Sequence, residues 1–289
     1  MASGMTSAPN PTRTAFIDAI ALWSPGLPGW GVARAALRGE GEAVTPPLRR
    51  PLAELLPAAE RRRAPDTVAL ALEVAQHAVA LAGTPPAALL SVFTSAHGDL
   101  GLTDYVCSML VNTPLGVSPT KFHNSVHNAA SGHWTMSAGC MQASTAVSAH
   151  LCSFAAGLLE ALVQCAAESR PVLLVGYDMA ACGPLASVTA SEGVLAVALV
   201  LSPERSPRSR ASLEWLLRPG ARERTALRSP AAQALQGNAM ADALPLFEAL
   251  ARECDDPVVL PLSEQLALQV GVAALHAERS YCADESADE

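Results

Sequence analysis

One stretch of the sequence, residues 118–163, combines residue types that could do chemistry. It starts as a polar segment rich in His and Asn and continues into small, almost uncharged residues, which predict a buried helix over residues 144–163. The N-terminus of such a helix carries unpaired backbone N–H groups and the positive end of the helix dipole. A reaction chamber at this point would therefore favour an anionic nucleophile or an oxyanion.

Two cysteines in this stretch could supply a nucleophile. Cys140 comes just before the predicted helix, where the helix dipole and a loop histidine, His127 or His133, could activate its thiol. Cys152 falls well inside the predicted helix, where the dipole has little effect. A free cysteine also packs as a small hydrophobic side chain, and we favour packing for both thiols.

The polar segment before the helix is predicted to be a loop held by its own side chains. Asn and His are well suited to hydrogen-bonding buried backbone groups. The residues assigned to this motif loop are Phe122, His123, Asn124, Asn128, Ser131 and Gly132. Its histidines lack helical spacing and a carboxylate partner, so we predict no metal site and no other cofactor.

Composition narrows the class of protein. Half of the 289 residues are hydrophobic and the net charge is −8, which provides for a large core and argues against general nucleic-acid binding. The seven cysteines show no Cys-x-x-Cys spacing, which favours a reducing cytoplasm. Residues 1–14 have no apolar signal-peptide core. Residues 144–163 come nearest to a membrane span, but their Ser, Thr, His and Glu content fits a protein interior better.

Strand and helix patterns alternate along the chain, which indicates α/β architecture. A helix is predicted from Asp66, as its N-cap, to Gly83, and a second helix over residues 103–110. His97 and Asp99 follow a predicted strand end, where either a functional loop or a simple turn can form. The predicted strands cover residues 16–23, 89–94, 172–176 and 193–201, the last two being continuous apolar runs suited to a sheet covered on both faces.

The last third of the chain changes in composition. Residues 203–230 are rich in Arg, Ser and Pro and are predicted to form a surface crossover with one strand at 211–217. A helix over residues 242–252 and one or two strands over residues 258–272 follow. We therefore predict a single domain over residues 15–276, between a disordered start (1–14) and a disordered acidic tail (277–289).

Several segments resemble the β-ketoacyl synthases of the thiolase-like superfamily, and they occur in the same order. FIDAIALWSPGLPGWGVARAALRGE is similar to the family's opening strand, turn and helix, LLSVFTSAHGDLGLTDYVCSML to its central strand and following helix, and RPVLLVGYD to the strand after the nucleophile helix. The matches span roughly residues 16–202. The resemblance implies a thiolase-like layered αβα(βα) fold, here the N-terminal half of a ketosynthase with a short C-terminal extension.

The resemblance also locates the position of the nucleophile. The segment STAVSA stands where a working ketosynthase reads like STACSA, so Val147 occupies the place of the reactive cysteine. Gln142 is the other candidate, because a Gln commonly replaces the nucleophile in chain length factors, but it would make the helix too long. Nothing after Gly176 resembles the motifs that carry the family's two catalytic histidines, and His276 is the only histidine there.

These features imply a non-catalytic subunit that pairs with a complete β-ketoacyl synthase. The chain is most similar to the short chain-length-factor-like subunits of bacterial aryl-polyene and type II polyketide clusters, whose partners also include an acyl carrier protein. The family pairs sheets across a two-fold axis, and we expect the interface at residues 118–134, with Trp134, and at the strand from Val172, with Leu174.

Two other interpretations stay open at this point. The chain could be a stand-alone acyltransferase or condensing enzyme that uses Cys140 with His127 or His133, or a small-molecule or lipid-binding module. The basic run of Arg61, Arg62 and Arg63 could steer an acidic carrier protein. It could equally be a solvated helix lead-in that neutralises nearby glutamates, which is the interpretation we favour.

Overall fold

The computed structural model describes residues 13–41, 50–220 and 223–275. Within these ranges, nine strands form one mixed sheet. The strands are β1 Arg13–Ser24, β2 Leu27–Pro28, β3 Leu90–Thr94, β4 Ser144–Val147, β5 Val172–Met179, β6 Val194–Ser202, β7 Ala211–Pro219, β8 Val258–Ser263 and β9 Leu266–Ala274. They lie in the order β4-β3-β5-β6-β1-β7-β9-β8, and β2 pairs with one end of β1.

The sheet is parallel at one end and antiparallel over the rest. Strand β3 runs parallel to both β4 and β5, whereas every further pair from β5–β6 to β9–β8 is antiparallel. Strands β5 and β6 are neighbours and almost wholly buried. The prediction of two adjacent central strands covered on both faces is therefore confirmed.

Helices cover both faces of the sheet. The helices are α1 Trp30–Arg38, α2 Ala58–Arg61, α3 Asp66–Ala82, α4 Leu100–Asn112, α5 Pro119–Asn124, α6 Ala129–Ser137, α7 Ser153–Glu168, α8 Pro230–Gln233 and α9 Leu244–Arg252. One hydrophobic core joins α1, α7 and α9 to the sheet, and a second joins α3 and α6 to the opposite face. This layered arrangement confirms the α/β fold prediction.

The local sequence explains why helix α3 forms and where it ends. Its residues are small or apolar over most of its circumference, and twelve of them are buried. Gly83 ends it in the left-handed conformation (φ 61°), which glycine adopts without a steric cost. The predicted N-cap, Asp66, is instead the first helical residue, after Pro65. A carboxylate in the first turn still stabilises the helix through its interaction with the helix dipole.

Helix α7 lies under the parallel end of the sheet. The segment His150–Glu168 is long and apolar enough to cross a membrane by length and composition alone. In the fold, however, Phe154 and Leu158 are fully buried against the sheet, as predicted, so the segment is a core helix.

The C-terminal third follows the prediction closely. A strand (β7), a helix (α9) and two strands (β8 and β9) lie where the composition indicated them. At the other end of the chain, β1 begins at Arg13, earlier than expected. Residues 1–12 and the acidic tail at 277–289, with His276, lie outside the described residues.

Two predictions in the middle of the chain are wrong. Residues 118–143 are not one loop, because α5 and α6 form within them. Ser118 caps α5 by accepting a hydrogen bond from the Lys121 N–H, and Pro119 takes the first helical turn, where proline is favoured. The helix predicted over residues 144–163 begins only at Ser153, because the residues before it form β4 and a 3-10 turn, His150–Cys152.

Candidate functional site

The candidate site lies at the carboxyl ends of β3, β4 and β5. These strands are parallel neighbours, so their carboxyl ends meet at one edge of the sheet, where functional loops gather in α/β proteins. Residues 95–99 follow β3, residues 148–152 follow β4, and Asp178 lies near the end of β5.

Asp178 shapes the turn after β3. One of its carboxylate oxygens accepts a hydrogen bond from the Ser95 hydroxyl at 2.8 Å, and the other accepts one from the Ala96 N–H at 2.8 Å. Burial raises the pKa of Asp178 to about 6, and hydrogen bonds from Ala96, Ser95 and His97 oppose that rise. The carboxyl group is thus a buried acceptor that fixes the backbone beside the parallel strands.

Three histidines surround this turn. The rings of His97 and His150 meet edge to face, with centroids 5.9 Å apart, and His97 Nε2 lies 2.7 Å from Thr189 Oγ1. Burial, and then the charge of His150, lower the pKa of His97. His127 donates its Nε2–H to the Ser95 carbonyl at 2.9 Å. The lowered pKa favours the neutral form of the His97 ring at this turn.

Val147 is the last residue of β4 and pairs with Thr94 of β3. It therefore does not stand at a helix N-terminus, which was the setting expected for a nucleophile. Val147 lies in a strand rather than a helix because its segment pairs with β3. A side-chain hydrogen bond of 2.9 Å between Ser91 and Ser144 also joins the two strands, and β-branched residues such as Val147 fit a strand. The equivalence of Val147 with the reactive cysteine stays a prediction.

Cys152, placed inside a helix by the sequence, is the N-cap residue of α7. Its thiol is nevertheless poorly suited to nucleophilic attack. Burial, and then the charge of Asp242, raise the pKa of Cys152, so the unreactive thiol form is favoured at neutral pH.

Cys140 is 3% exposed, and its Sγ lies 3.3 Å from the Leu89 carbonyl, beside the start of β3. His127 lies beside Ser95, at the other end of β3. Ser95 follows Leu89 by six residues, which corresponds to about 20 Å in an extended strand. His133 hydrogen-bonds the Asn124 side chain at 2.9 Å, and burial is the main cause that lowers its pKa. The structure therefore does not bring Cys140 and His127 together. The hydrogen bond of His133 is made with Asn124 rather than with Cys140.

The motif-loop residues lie on α5, on α6 and in the turn between them. The Asn124 side chain donates to the Thr120 carbonyl at 3.1 Å, and the Asn128 carbonyl accepts bonds from the Ser131 hydroxyl at 2.9 Å and the Gly132 N–H at 3.0 Å. His123 lies in the last turn of α5, and Phe122 beside it is exposed. In the described part of the chain, no group of three or more His, Cys, Asp or Glu side chains could hold a metal ion.

One buried residue of the site was missed by the sequence reasoning. Asp242 is 2% exposed, and its Oδ2 accepts a hydrogen bond of 3.1 Å from the Ala155 N–H in the first turn of α7. Burial raises the pKa of Asp242 to about 7, although the bonds from Ala155 and Phe154 and the charge of Arg224 oppose this. The sequence placed Asp242 only at the start of an amphipathic helix, and no local pattern reveals a contact across 87 residues.

Two expected interface residues are buried. Trp134 and Leu174 are each 1% exposed, since Trp134 packs beside Phe93 under the sheet and Leu174 belongs to a central strand. Five large exposed apolar side chains lie on α4, the turn after it, α5 and α6, and we call this set the α4–α6 surface. It comprises Leu110, Val111, Leu115, Phe122 and Met136.

A comparison with protein-family models identifies one family. The sequence model of the β-ketoacyl synthase N-terminal domain matches residues 38–257. The search of curated proteins found no match.

Solved structures share the fold over nearly their whole length. The ketosynthase ApeO in complex with its chain length factor ApeC, from Xenorhabdus doucetiae, superposes with a TM-score of 0.68 at 23% identity, covering 89% of this chain and 99% of that chain. The ishigamide ketosynthase/chain length factor gives 0.70 at 14% identity, covering 91% and 100%. The AntDE:AntF complex, a type II polyketide synthase acyl-carrier protein with its ketosynthase, gives 0.70 at 9% identity, covering 92% and 100%.

Proposed function

Because the chain belongs to the β-ketoacyl synthase N-terminal domain family, we propose that it is a non-catalytic subunit that pairs with a complete β-ketoacyl synthase. Its role is that of a chain length factor in polyketide- or fatty-acid-type biosynthesis, with aryl-polyene biosynthesis as the specific setting. The partner supplies the reactive cysteine and the acid/base histidines, and this chain completes the dimer.

The chemistry of the candidate site supports a role without catalysis. The side chain of Val147 is a hydrocarbon and cannot attack a thioester. Cys140 is buried against backbone carbonyls at the far end of β3 from His127, and the raised pKa of Cys152 favours its thiol form. A stand-alone acyltransferase based on Cys140 therefore finds no support in this geometry.

The open edge of β4 is the observation that carries the proposal. On one side β4 pairs with β3, where Ser91 N–H donates to Ala143 and Ser95 N–H to the Val147 carbonyl. Because backbone groups alternate along a strand, those of Ser144 and Ala146 face away from β3. Among the described strands, none pairs with β4 on that side. An unpaired edge of this kind is a template for a strand of another chain.

The α4–α6 surface adds exposed apolar area, and its α6 part lies next to β4. Helix α4 packs on α5, and α6 packs on β4. Val111 is 82% exposed and Leu115 is 102% exposed, and large exposed apolar patches mark interaction sites. Together, the edge and the surface suit an obligate interface, which buries about 2,000 Å² or more.

Co-expression with a ketosynthase encoded by a neighbouring gene tests the proposal. The wild-type chain should co-purify with the ketosynthase as a one-to-one complex. Ala146→Pro removes an N–H that faces outward, which an edge strand tolerates, so it should keep the fold and lose the complex. Ala146→Ser keeps that N–H and should keep the complex. A stable monomer that ignores every ketosynthase offered, or an Ala146→Pro variant that co-purifies normally, would count against the proposal.

Two finer parts of the proposal concern the carrier protein and the compartment. Arg61 donates to the carbonyls of Leu56 at 2.9 Å and Glu54 at 3.2 Å, so it holds its own turn. Arg62 and Arg63 are exposed, which fits a solvated helix lead-in, and an acyl carrier protein is a proposed partner of the complex as a whole. The cytoplasm is the proposed location, because the exposed free thiols are typical of reducing compartments.

A further inference from the structure

Helix α7 begins with a site that suits an anion. It runs for 16 residues, and its N-cap residue, Cys152, makes no side-chain capping bond. A helix start of this kind presents several N–H groups without helical partners, together with the positive end of the dipole. These features are common to many helices, so the significance of this helix start depends on the group that occupies it.

The occupant is a carboxyl group from a distant part of the chain. Asp242 lies on a 3-10 turn, Ala241–Ala243, just before α9, and its Oδ2 accepts the hydrogen bond from Ala155. Its Oδ1 is equally buried and has no hydrogen-bond partner in the described part of the chain. A carboxyl group buried with one unpartnered oxygen is costly, and the hydrogen bond to the start of α7 offsets part of that cost.

We propose that Asp242 is an internal ligand, which fills the carboxylate-binding site at the start of α7 and closes that site to an external carboxylate or thioester oxyanion. The inference goes beyond the proposed pairing, because Asp242 occupies the start of α7 within this chain and needs no partner to do so. It also gives the proposed lack of catalysis a second cause, independent of which residue stands at the nucleophile position.

Arg224 and Cys152 lie close to the same site. Arg224 donates to the Leu151 carbonyl at 3.1 Å, which holds its segment across the turn before α7. Cys152 contributes a thiol near the carboxyl group, and Arg224 contributes a positive charge. An external oxyanion would therefore have to displace Asp242 from the Ala155 N–H before it could use the helix start.

Replacing Asp242 by Ala tests the proposal, because it empties the site while leaving the helix start intact. Sodium formate, a small carboxylate, should then bind in place of the side chain. At about ten times its dissociation constant it should raise the melting temperature of Asp242→Ala by about 3 °C. Sodium chloride at the same ionic strength should not. The wild type and Asp242→Asn, whose side-chain carbonyl still accepts the Ala155 bond, should not respond to formate.

An equal response of the three proteins, or none in Asp242→Ala, would overturn the proposal. If Asp242→Ala is insoluble, refolding from urea in formate and in chloride decides the matter. A higher yield in formate supports the internal ligand, and equal yields refute it. Co-purification of the wild type with a ketosynthase is scored separately, so failure of the pairing proposal is distinguishable from failure of this one.

Discussion

Replacing Asp242 by Asn should change how the stability of the protein depends on pH. In the folded wild type, burial raises the pKa of Asp242 to about 7 from an ordinary value of 3.8. The folded state therefore keeps its proton between pH 4 and pH 7, where the unfolded state has already lost it. Because the folded state binds more protons in this range, the free energy of unfolding falls as the pH rises. Asn cannot titrate, so the variant lacks this fall.

The size of the effect follows from the two pKa values. Each factor of ten in proton affinity corresponds to about 1.4 kcal/mol, so the full difference amounts to about 4 kcal/mol. The charge of Asp178 contributes to the raised pKa of Asp242, so the two carboxyl groups titrate together and 4 kcal/mol is an upper value. The Ala155 N–H keeps an acceptor in Asp242→Asn, so little else should change.

Urea unfolding of both proteins from pH 4 to pH 8 measures this difference. The stability of Asp242→Asn relative to the wild type should rise steadily from pH 4 to pH 7 and then stay constant. Histidine and other carboxyl groups titrate in both proteins and cancel to first order in the comparison. A difference that is flat across this range, or that falls with pH, would refute the assignment of a raised pKa to Asp242.

Three further predictions concern the nucleophile position, a buried tryptophan and the interface. Val147→Cys alone should not create condensing activity in a radiolabelled malonyl-carrier assay, because general acid/base assistance worth about 10²–10⁴-fold is still missing; turnover by the purified single variant would contradict this. Trp134→Asp should lower the stability by at least about 3 kcal/mol in urea unfolding, because it empties and charges a buried site. Leu115→Asp should keep the wild-type melting temperature but weaken co-purification with a ketosynthase, and the reverse pattern for these two variants would place the interface elsewhere.

The central layers of the fold were predictable because their sequence signals are local and strong. Strands β5 and β6 are continuous apolar runs that admit few alternatives in an α/β protein. Helix α3 has a long apolar pattern and a glycine at its end, and α9, β8 and β9 follow clear changes of period. In each case the residues that form the element also carry the signal.

The parallel edge was mispredicted because its structure depends on distant partners. Strand β4 is only four residues long, and pairing with β3 rather than its own composition makes it a strand. Small residues continue from β4 into α7, so the sequence offered no boundary at Ser153. The start of α5 was recoverable, since Ser118 followed by Pro119 is a recognisable helix start.

The candidate site was predictable only in part for the same reason. The histidines and Cys140 stand out by residue type, but the distance between Cys140 and His127 follows from the opposite ends of β3. Asp242 reaches α7 from the far end of the chain, and Cys152 becomes an N-cap only once the true start of α7 is known. Long-range contacts such as these leave no trace in local spacing.

The most direct measurement of the central claim is a reconstituted condensation assay with four combinations. These are this chain alone, a neighbouring ketosynthase alone, the two together, and the two together with the ketosynthase's reactive cysteine replaced by alanine. The proposed function predicts carrier-bound product only from the two intact chains together, and unchanged product when Cys140→Ala replaces the wild-type chain. Product from this chain alone, or its loss on Cys140→Ala in a complex that still forms, would contradict a non-catalytic subunit.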